Sequence, residues 1–454
     1  MRILFVSVNR ESAPCPVAPL GVSYVAGAAR NDGHEVALLD LCFSNDIEAD
    51  IAAAVRRFTP ELIGVSIRNV DNLTYPPSVS YLEEIQAAVT ALKRASRSPI
   101  VAGGPGFSIF PERLLDLLEL PYGVIGEGEE TLRLLARHLA ERTEVPDLPN
   151  LIRRGQDARQ VARQTAAFAG NGLPARDLLD NAAYLRLGGM ANVQTKRGCP
   201  FQCTYCTYPH IDGSSLRLRS PVGVADELTS MVEEAGLDEV FFVDDIFNWP
   251  PEHALAICQE IIGRRLRVGW TCFATPGGMT SGLAHAMKRA GCRGVEFGAD
   301  TASPSILRTL GKPFPQEEIR TAARACRDAG LPAAYYLIFG GPGETAETVA
   351  ETLVLFDEIE PRAVLAFLGI RIYPNTPLHH VAVSDGVIAA GEDLLSPRFY
   401  ISPGIKADAL QAIIRSHAGP RSNWVVPGLG IRSDPALLAA LHRSGHRGPL
   451  WTFL

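Results

Sequence analysis

Apolar and polar positions along this chain are grouped in blocks. Ile3 to Val8 is a short, apolar, β-branched run, and comparable runs recur at Glu35–Asp40, Leu62–Ile67, Ile100–Ala102 and Gly123–Ile125. Runs of this length that stay apolar on both faces predict parallel strands covered by helices. Between them the spacing turns helical: Leu20 to Gly33, Ile47 to Phe58 and Ser80 to Arg94. Strands alternating with helices predict an α/β fold, here a doubly wound, Rossmann-like parallel sheet over residues 1–145, with its ligand crevice at the carboxyl ends of the strands.

A second pattern begins farther on. Residues 146–191, rich in proline and glycine and without sustained periodicity, read as a linker with a short hairpin or helix. Strand-like runs then return at Asn192–Thr195, Glu239–Val243, Val268–Phe273, Gly294–Gly298, Ala334–Phe339 and Val364–Tyr373. With helices between them they predict a partial (β/α)6 barrel over 192–380, whose strand ends at one mouth carry the chemistry. Residues 381–454 form a small C-terminal region with helical patches at Asp408–Ser416 and Pro435–Ser444 and an aromatic end, Trp451-Thr452-Phe453, expected to pack on the barrel.

Composition narrows the function. The 454 residues are 46% hydrophobic and 20% charged with a net charge of −7, which suits a globular protein of two or three domains. No apolar run approaches the ~20 residues that cross a bilayer, so membrane insertion is not expected. Nothing basic marks a polyanion partner, so nucleic acid is not expected either, and a small-molecule substrate is. The first residues enter a strand without a small-residue cleavage site, which predicts no secretory signal. Nine cysteines in an unexported chain then point to the reducing cytoplasm.

Candidate chemistry concentrates at Lys196-Arg197-Gly198-Cys199-Pro200-Phe201-Gln202-Cys203-Thr204-Tyr205-Cys206. Three thiols spaced Cys-x3-Cys-x2-Cys, on a loop that Gly198 and Pro200 keep from becoming helix, can converge on one metal centre. Structural zinc favours four closed ligands, usually in Cys-x2-Cys pairs, and no second pair exists. A [4Fe-4S] cluster held by Cys199, Cys203 and Cys206 leaves one iron open to a non-protein ligand. Cys258, Cys272, Cys292 and Cys326 stand far apart among apolar neighbours and read as buried small hydrophobes, and Cys15, lacking a nearby partner, reads as structural.

The motif, with an aromatic residue before its last cysteine, resembles the signature of the radical S-adenosylmethionine (SAM) enzymes. The resemblance implies that the open iron chelates the amino and carboxylate groups of SAM and that an electron from the cluster releases a 5'-deoxyadenosyl radical. It also implies an electron donor such as flavodoxin or ferredoxin. Further positions follow in the order of the family's strand-end motifs. Asp244 and Asp245 would receive the SAM amino group, the alternative being a helix N-cap. Glu296, a lone carboxylate in an apolar strand, would meet a ribose hydroxyl. Gly340 and Gly341 would let backbone lie close to SAM, and Tyr373 would line the adenine side.

The N-terminal half resembles the cobalamin-binding domain that precedes the barrel in one large radical SAM class. Pro19-Leu20-Gly21, Gly33-His34-Glu35-Val36, Gly103-Gly104-Pro105 and Gly126-Glu127-Gly128-Glu129 carry this likeness. It implies a cobalamin site at Ser66, Gly103, Gly104, Gly126, Glu127 and Gly128, although glycine-rich strand ends are also ordinary turns. No Asp-x-His-x-x-Gly loop is present, and His34 and His138 read as structural. The lower cobalt face is therefore expected to be open or water-bound, with Arg68-Asn69-Val70-Asp71-Asn72 either facing it or capping the helix that follows.

The function these likenesses imply is cobalamin-dependent methylation of an unactivated carbon in a small-molecule or lipid substrate. Two alternatives stay open: a radical SAM cyclase or carbon-group transferase that does not use cobalamin, and a non-enzymatic iron-sulfur or corrinoid carrier.

Overall fold

A computed structural model describes residues 1–163, 165, 172–443 and 447–454. Part of the expected linker and the end of the Pro435–Ser444 patch lie outside the described residues, and the described part of that patch is the helix Pro435–Arg443.

The first domain is built on β1 (Arg2–Ser7), β2 (Glu35–Asp40), β3 (Leu62–Ser66), β4 (Ile100–Gly103), β5 (Tyr122–Val124) and β6 (Leu151–Arg153), ordered β2-β1-β3-β4-β5-β6. β1 to β5 are parallel, as their two-sided apolar runs predict, while β6 pairs antiparallel with β5. The first sheet thus continues past residue 145 into the segment expected to be a linker. Crossover helices cover both faces: Leu20–Asn31, Ile47–Phe58, Leu82–Ala95, Pro111–Leu118 and Glu129–Glu141. Asp46 caps the second of these through Ala49 N–H at 3.0 Å, and the helix buries Ile51, Ala54 and Val55. The order 2-1-3-4-5 places the switch point between β1 and β3.

The second domain opens with β7 (Ala191–Val193) and the hairpin β8 (Lys196–Arg197) and β9 (Arg217–Leu218). It continues through β10 (Glu239–Phe242), β11 (Gly269–Ala274), β12 (Cys292–Asp300), β13 (Ala333–Phe339) and β14 (Ala363–Leu368). The six expected barrel strands are all present and lie side by side in chain order, β7-β10-β11-β12-β13-β14. The last is shorter than expected. Gly369, at φ 67°, turns the chain into β15 (Ile370–Arg371), which pairs antiparallel with β16 (Phe399–Tyr400). A seventh strand, β17 (Trp424–Val425), adds parallel to β14, so the sheet stays an open, partial barrel.

The two domains share one core. Ile63, Val65 and Phe107 of the first pack in the same buried cluster as Ile306, Leu310 and Ile370 of the second. Polar contacts fix the join. Asp71 and Arg371, both buried, pair at 3.0 Å, and the remaining guanidinium nitrogens of Arg371 donate to Ile372 O and Leu394 O, each at 2.7 Å. The same guanidinium lies over the rings of Tyr373 and Phe110. Arg197 of β8 pairs with Glu129 at 2.6 Å and Glu127 at 3.6 Å, and Arg217 of β9 also pairs with Glu127.

Candidate active site

The cysteine loop leaves β8 through Gly198, at φ 87°, where a Cβ would lie 2.2 Å from Ser215 O. Only glycine fits this turn. The loop is then tied down by its backbone: Cys199 N–H donates to Gly213 O at 3.1 Å, Thr204 N–H to Leu310 O at 3.0 Å, and Leu378 N–H to Thr204 O at 2.9 Å. Cys199 is buried, and Cys203 and Cys206 are half-buried. The thiols lie in one another's field, with Cys206 sensing both others, and burial raises Cys199 to about 11 and Cys206 to about 12.

Among the described residues no group of three or more His, Cys, Asp or Glu is gathered for a single metal ion. Three thiols on one fixed loop that interact electrostatically suit a cluster, in which each thiolate binds a different iron.

Two residues that the sequence reading missed stand beside this loop. Asp300 ends β12 in the left-handed region, at φ 66°, and accepts from Lys312 Nζ at 2.7 Å and from the Tyr205 hydroxyl. The charge of Lys312 lowers the thiol pKa at Cys199 and Cys203 against the larger effect of burial. The available signal was Asp300 itself, an acidic residue closing an apolar strand next to the glycine-bearing Gly311-Lys312 turn.

The acidic pair divides. Asp244 is buried and fully engaged: its Oδ1 accepts from Thr195 N–H at 2.6 Å and Lys196 N–H at 3.2 Å, and its Oδ2 from the Thr195 hydroxyl. It joins β10 to the root of the cysteine loop, which corrects its expected role as a SAM ligand. Asp245 is the available carboxylate. Its Oδ2 is buried without a partner, and its charge is felt at Cys199 and Cys206. Burial, and then the charges of Asp212 and Asp244, push it well above the usual carboxylate range. A buried, unpaired carboxylate oxygen beside the cluster loop fits an ammonium ligand.

Glu296 already has partners within the chain. Its Oε2 accepts from the Tyr336 hydroxyl at 2.9 Å and its Oε1 from Trp451 Nε1 at 2.8 Å, so the protein itself supplies the partners expected from a ribose. The Trp451 ring lies against β12 where Gly294 leaves room, a Cβ there being 2.4 Å from the indole. At Gly340, φ 105°, the closest approach is to Gly369 of the same chain, and Gly341 faces Ile306 and Leu310. Both N–H groups donate to Glu344, which holds the turn. Tyr373 stands against Phe110 of the first domain, ring centroids 6.0 Å apart.

On the opposite side, Ser66 and Gly103 pair in register at the carboxyl ends of β3 and β4, both half-buried. A Cβ at Gly103 would meet nothing closer than 3.6 Å, leaving the strand end approachable. At the switch point a crevice is lined by Val8, Asn9, Arg10, Arg68, Asn69 and Tyr81, and Arg10 Nε and Asn69 Oδ1 are buried there without partners. These polar groups stand at the carboxyl ends of the strands, where ligands of doubly wound sheets sit.

At three of the expected cobalamin positions the chain itself comes close. At Gly104, φ 99°, a Cβ would lie 2.6 Å from Ile67 O. Gly126 meets Arg163 and Ile211 O, and Glu127 is bound to Arg197 and Arg217. Gly128 touches only Val25 and Val124 side chains. His34 bonds the N-terminal amine, and His138 lies near the far end of its helix, bonded to Thr143, so both stand at the end of the sheet opposite the crevice. Asp71, expected to face cobalt, is turned to Arg371.

The two sides meet. The short helix Tyr208–Ile211, directly after Cys206, places Ile211 O 2.9 Å from where a Cβ on Gly126 would lie, and the exposed Arg68 is felt electrostatically at Tyr208 and Cys15.

Residues 6–136 match the B12 binding domain family, and residues 193–356 the Radical SAM superfamily. The chain is 26% identical to tryptophan 2-C-methyltransferase of Streptomyces laurentii over 81% of this chain and 72% of that protein. It is 28% identical to an uncharacterized methyltransferase of Pyrococcus horikoshii, over 86% of this chain and 84% of that one. Among solved structures it is similar to the radical SAM methyltransferase TsrM of Kitasatospora setae with cobalamin and a [4Fe-4S] cluster bound, at 26% identity and a TM-score of 0.88, covering 99% of this chain and 96% of that one. The cobalamin-dependent radical SAM enzyme OxsB, at 18% identity and a TM-score of 0.75 over 91% of this chain and 66% of that one, shares the fold.

Proposed function

We propose, for a chain that belongs to the radical SAM enzymes carrying a B12-binding domain, that it methylates a carbon of a small molecule using SAM, a [4Fe-4S] cluster and cobalamin. The observation that carries this reading is the face-to-face arrangement of the three-thiol loop and the carboxyl ends of the first sheet in one body, with Tyr208–Ile211 seated between them. When bound, the cluster supplies the electron that cleaves the SAM sulfonium to give a 5'-deoxyadenosyl radical, and cobalamin supplies a transferable methyl group.

The chain's own residues would act as follows. Cys199, Cys203 and Cys206 would hold the cluster as thiolates, with Lys312 offsetting part of their charge. Asp245 would take the SAM ammonium, and the Gly340-Gly341 turn, fixed by Glu344, would shape the wall beside it. Ser66, Gly103 and Gly128 would receive cobalamin, with Arg68 directed toward the cleft. An external one-electron donor of the flavodoxin or ferredoxin type would serve the cluster. All nine cysteines are free, which favours a reducing cytoplasm. Among the described residues no helix is long and apolar enough to cross a membrane.

The test is anaerobic purification from cobalamin-supplied cells, followed by measurement of iron, corrinoid and the methylated or cleaved products of SAM. About one corrinoid and four irons per chain are expected. Iron without corrinoid would overturn methyl transfer in favour of a cyclase or another carbon-group transfer.

A further inference from the structure

The barrel strands present two different faces. Tyr335, Leu337, Val364 and Ala366 are fully buried beneath the helices, whereas the alternating Tyr336, Ile338, Leu365 and Phe367 are only half-buried. Phe273 on β11 is 38% exposed. A Cβ at Gly298 would meet nothing within 4 Å, so space is open in front of β12. Aromatic rings run across this interior: Phe241 to Phe273 at 4.9 Å, Phe273 to Tyr336 at 5.9 Å, and Tyr336 stacked on Phe367 at 6.2 Å. Glu296 stands among them, bonded to Trp451, and its charge is felt at Cys15, which lies between Pro14 and Pro16 after β1 of the first domain.

Among the described residues Glu296, like Glu344, has no cation beside it. Asp300 has Lys312 and Asp71 has Arg371, but among the described residues Glu296 receives only two neutral donors, the Tyr336 hydroxyl and the Trp451 N–H. A buried carboxylate without a counter-charge is costly, and an ammonium both compensates it and gains from nearby aromatic faces. A plain hydrocarbon would leave the charge uncompensated, and an anion would be repelled.

We propose that this chamber binds the enzyme's substrate as a flat aromatic molecule carrying an ammonium group, its ring against Phe273, Tyr336 and Phe367 and its nitrogen toward Glu296. Trp451 is a positioning residue that closes the chamber floor and holds the carboxylate. The inference rests on the enzymatic reading above.

The test uses the full chain with its cluster reconstituted and SAM binding verified. Calorimetry or saturation-transfer NMR then compares tryptamine, indole-3-propionate and 2-cyclohexylethylamine. Tryptamine is expected to bind at least tenfold tighter than either of the others, and Glu296→Gln to lose at least tenfold in tryptamine affinity with iron content and SAM titration unchanged. Phe273→Leu, which keeps the carboxylate, should narrow the advantage of tryptamine over the cyclohexyl amine. Equal binding of indole-3-propionate, or unchanged tryptamine affinity in Glu296→Gln, would overturn the proposal. A wild-type chain without cluster or SAM would instead defeat the enzymatic reading, whatever the amines do.

Discussion

Asp244 and Asp245 are adjacent in sequence and opposite in situation, and substitution should separate them. Asp244→Asn leaves one acceptor where three donors from Thr195 and Lys196 now converge, so it is expected to lower stability by about 3 kcal/mol, read as a fall in Tm. Asp245→Asn removes a charge that burial already disfavours, so Tm should hold while SAM affinity falls about tenfold or more, from loss of a charged contact of ~1.5–3 kcal/mol. Titrating the cluster spectrum with SAM measures the second effect. Replacing any of Cys199, Cys203 or Cys206 with Ala should reduce bound iron from about four per chain to near none. The thiol spacing made these three legible without a structure. Which member of the acidic pair stays unbonded was not legible, because that depends on Thr195 reaching across from β7. Nor was the Glu296 partnership, since Trp451 lies 155 residues away and reaches it only through the tail's path under the barrel.

At the scale of elements, parallel strands buried on both faces leave continuous apolar runs, and every such strand in both domains was legible to within a residue or two at most boundaries. Elements whose existence depends on a neighbour were not. β6 is three residues in a breaker-rich stretch and is defined by its register with β5, and the two-residue β17 by its register with β14. The Gly340-Gly341 turn shows how an element can carry a pH dependence. Burial pushes Glu344 from an unfolded value of 4.5 up to about 7, opposed by the two glycine N–H groups. A folded-state value above the unfolded one means stability that is full below pH 4.5 and is lost as pH rises through 7. Glu344→Gln keeps an acceptor for the turn and does not ionise. The stability difference between pH 5 and pH 8, measured by chemical denaturation, should therefore shrink by on the order of 2 kcal/mol.

Across the whole molecule, the order of the motifs predicted two domains in series, but their mutual fit was hidden, because the ion pairs between them join residues from 68 to 300 positions apart. The polar loop expected to look onto a cofactor gives Asp71 to Arg371, 300 residues later in the chain. That pairing limits how such proteins can be recombined. A chimaera that imports its first domain from a relative, and does not bring an acid to the place of Asp71, would strand the Arg371 charge in the shared core at a cost of about 3–5 kcal/mol. Asp71, Phe110, Arg371 and Tyr373 would therefore have to be inherited together, and a crossover point chosen only from the gap between the two motif-bearing regions would cut through the unit they form.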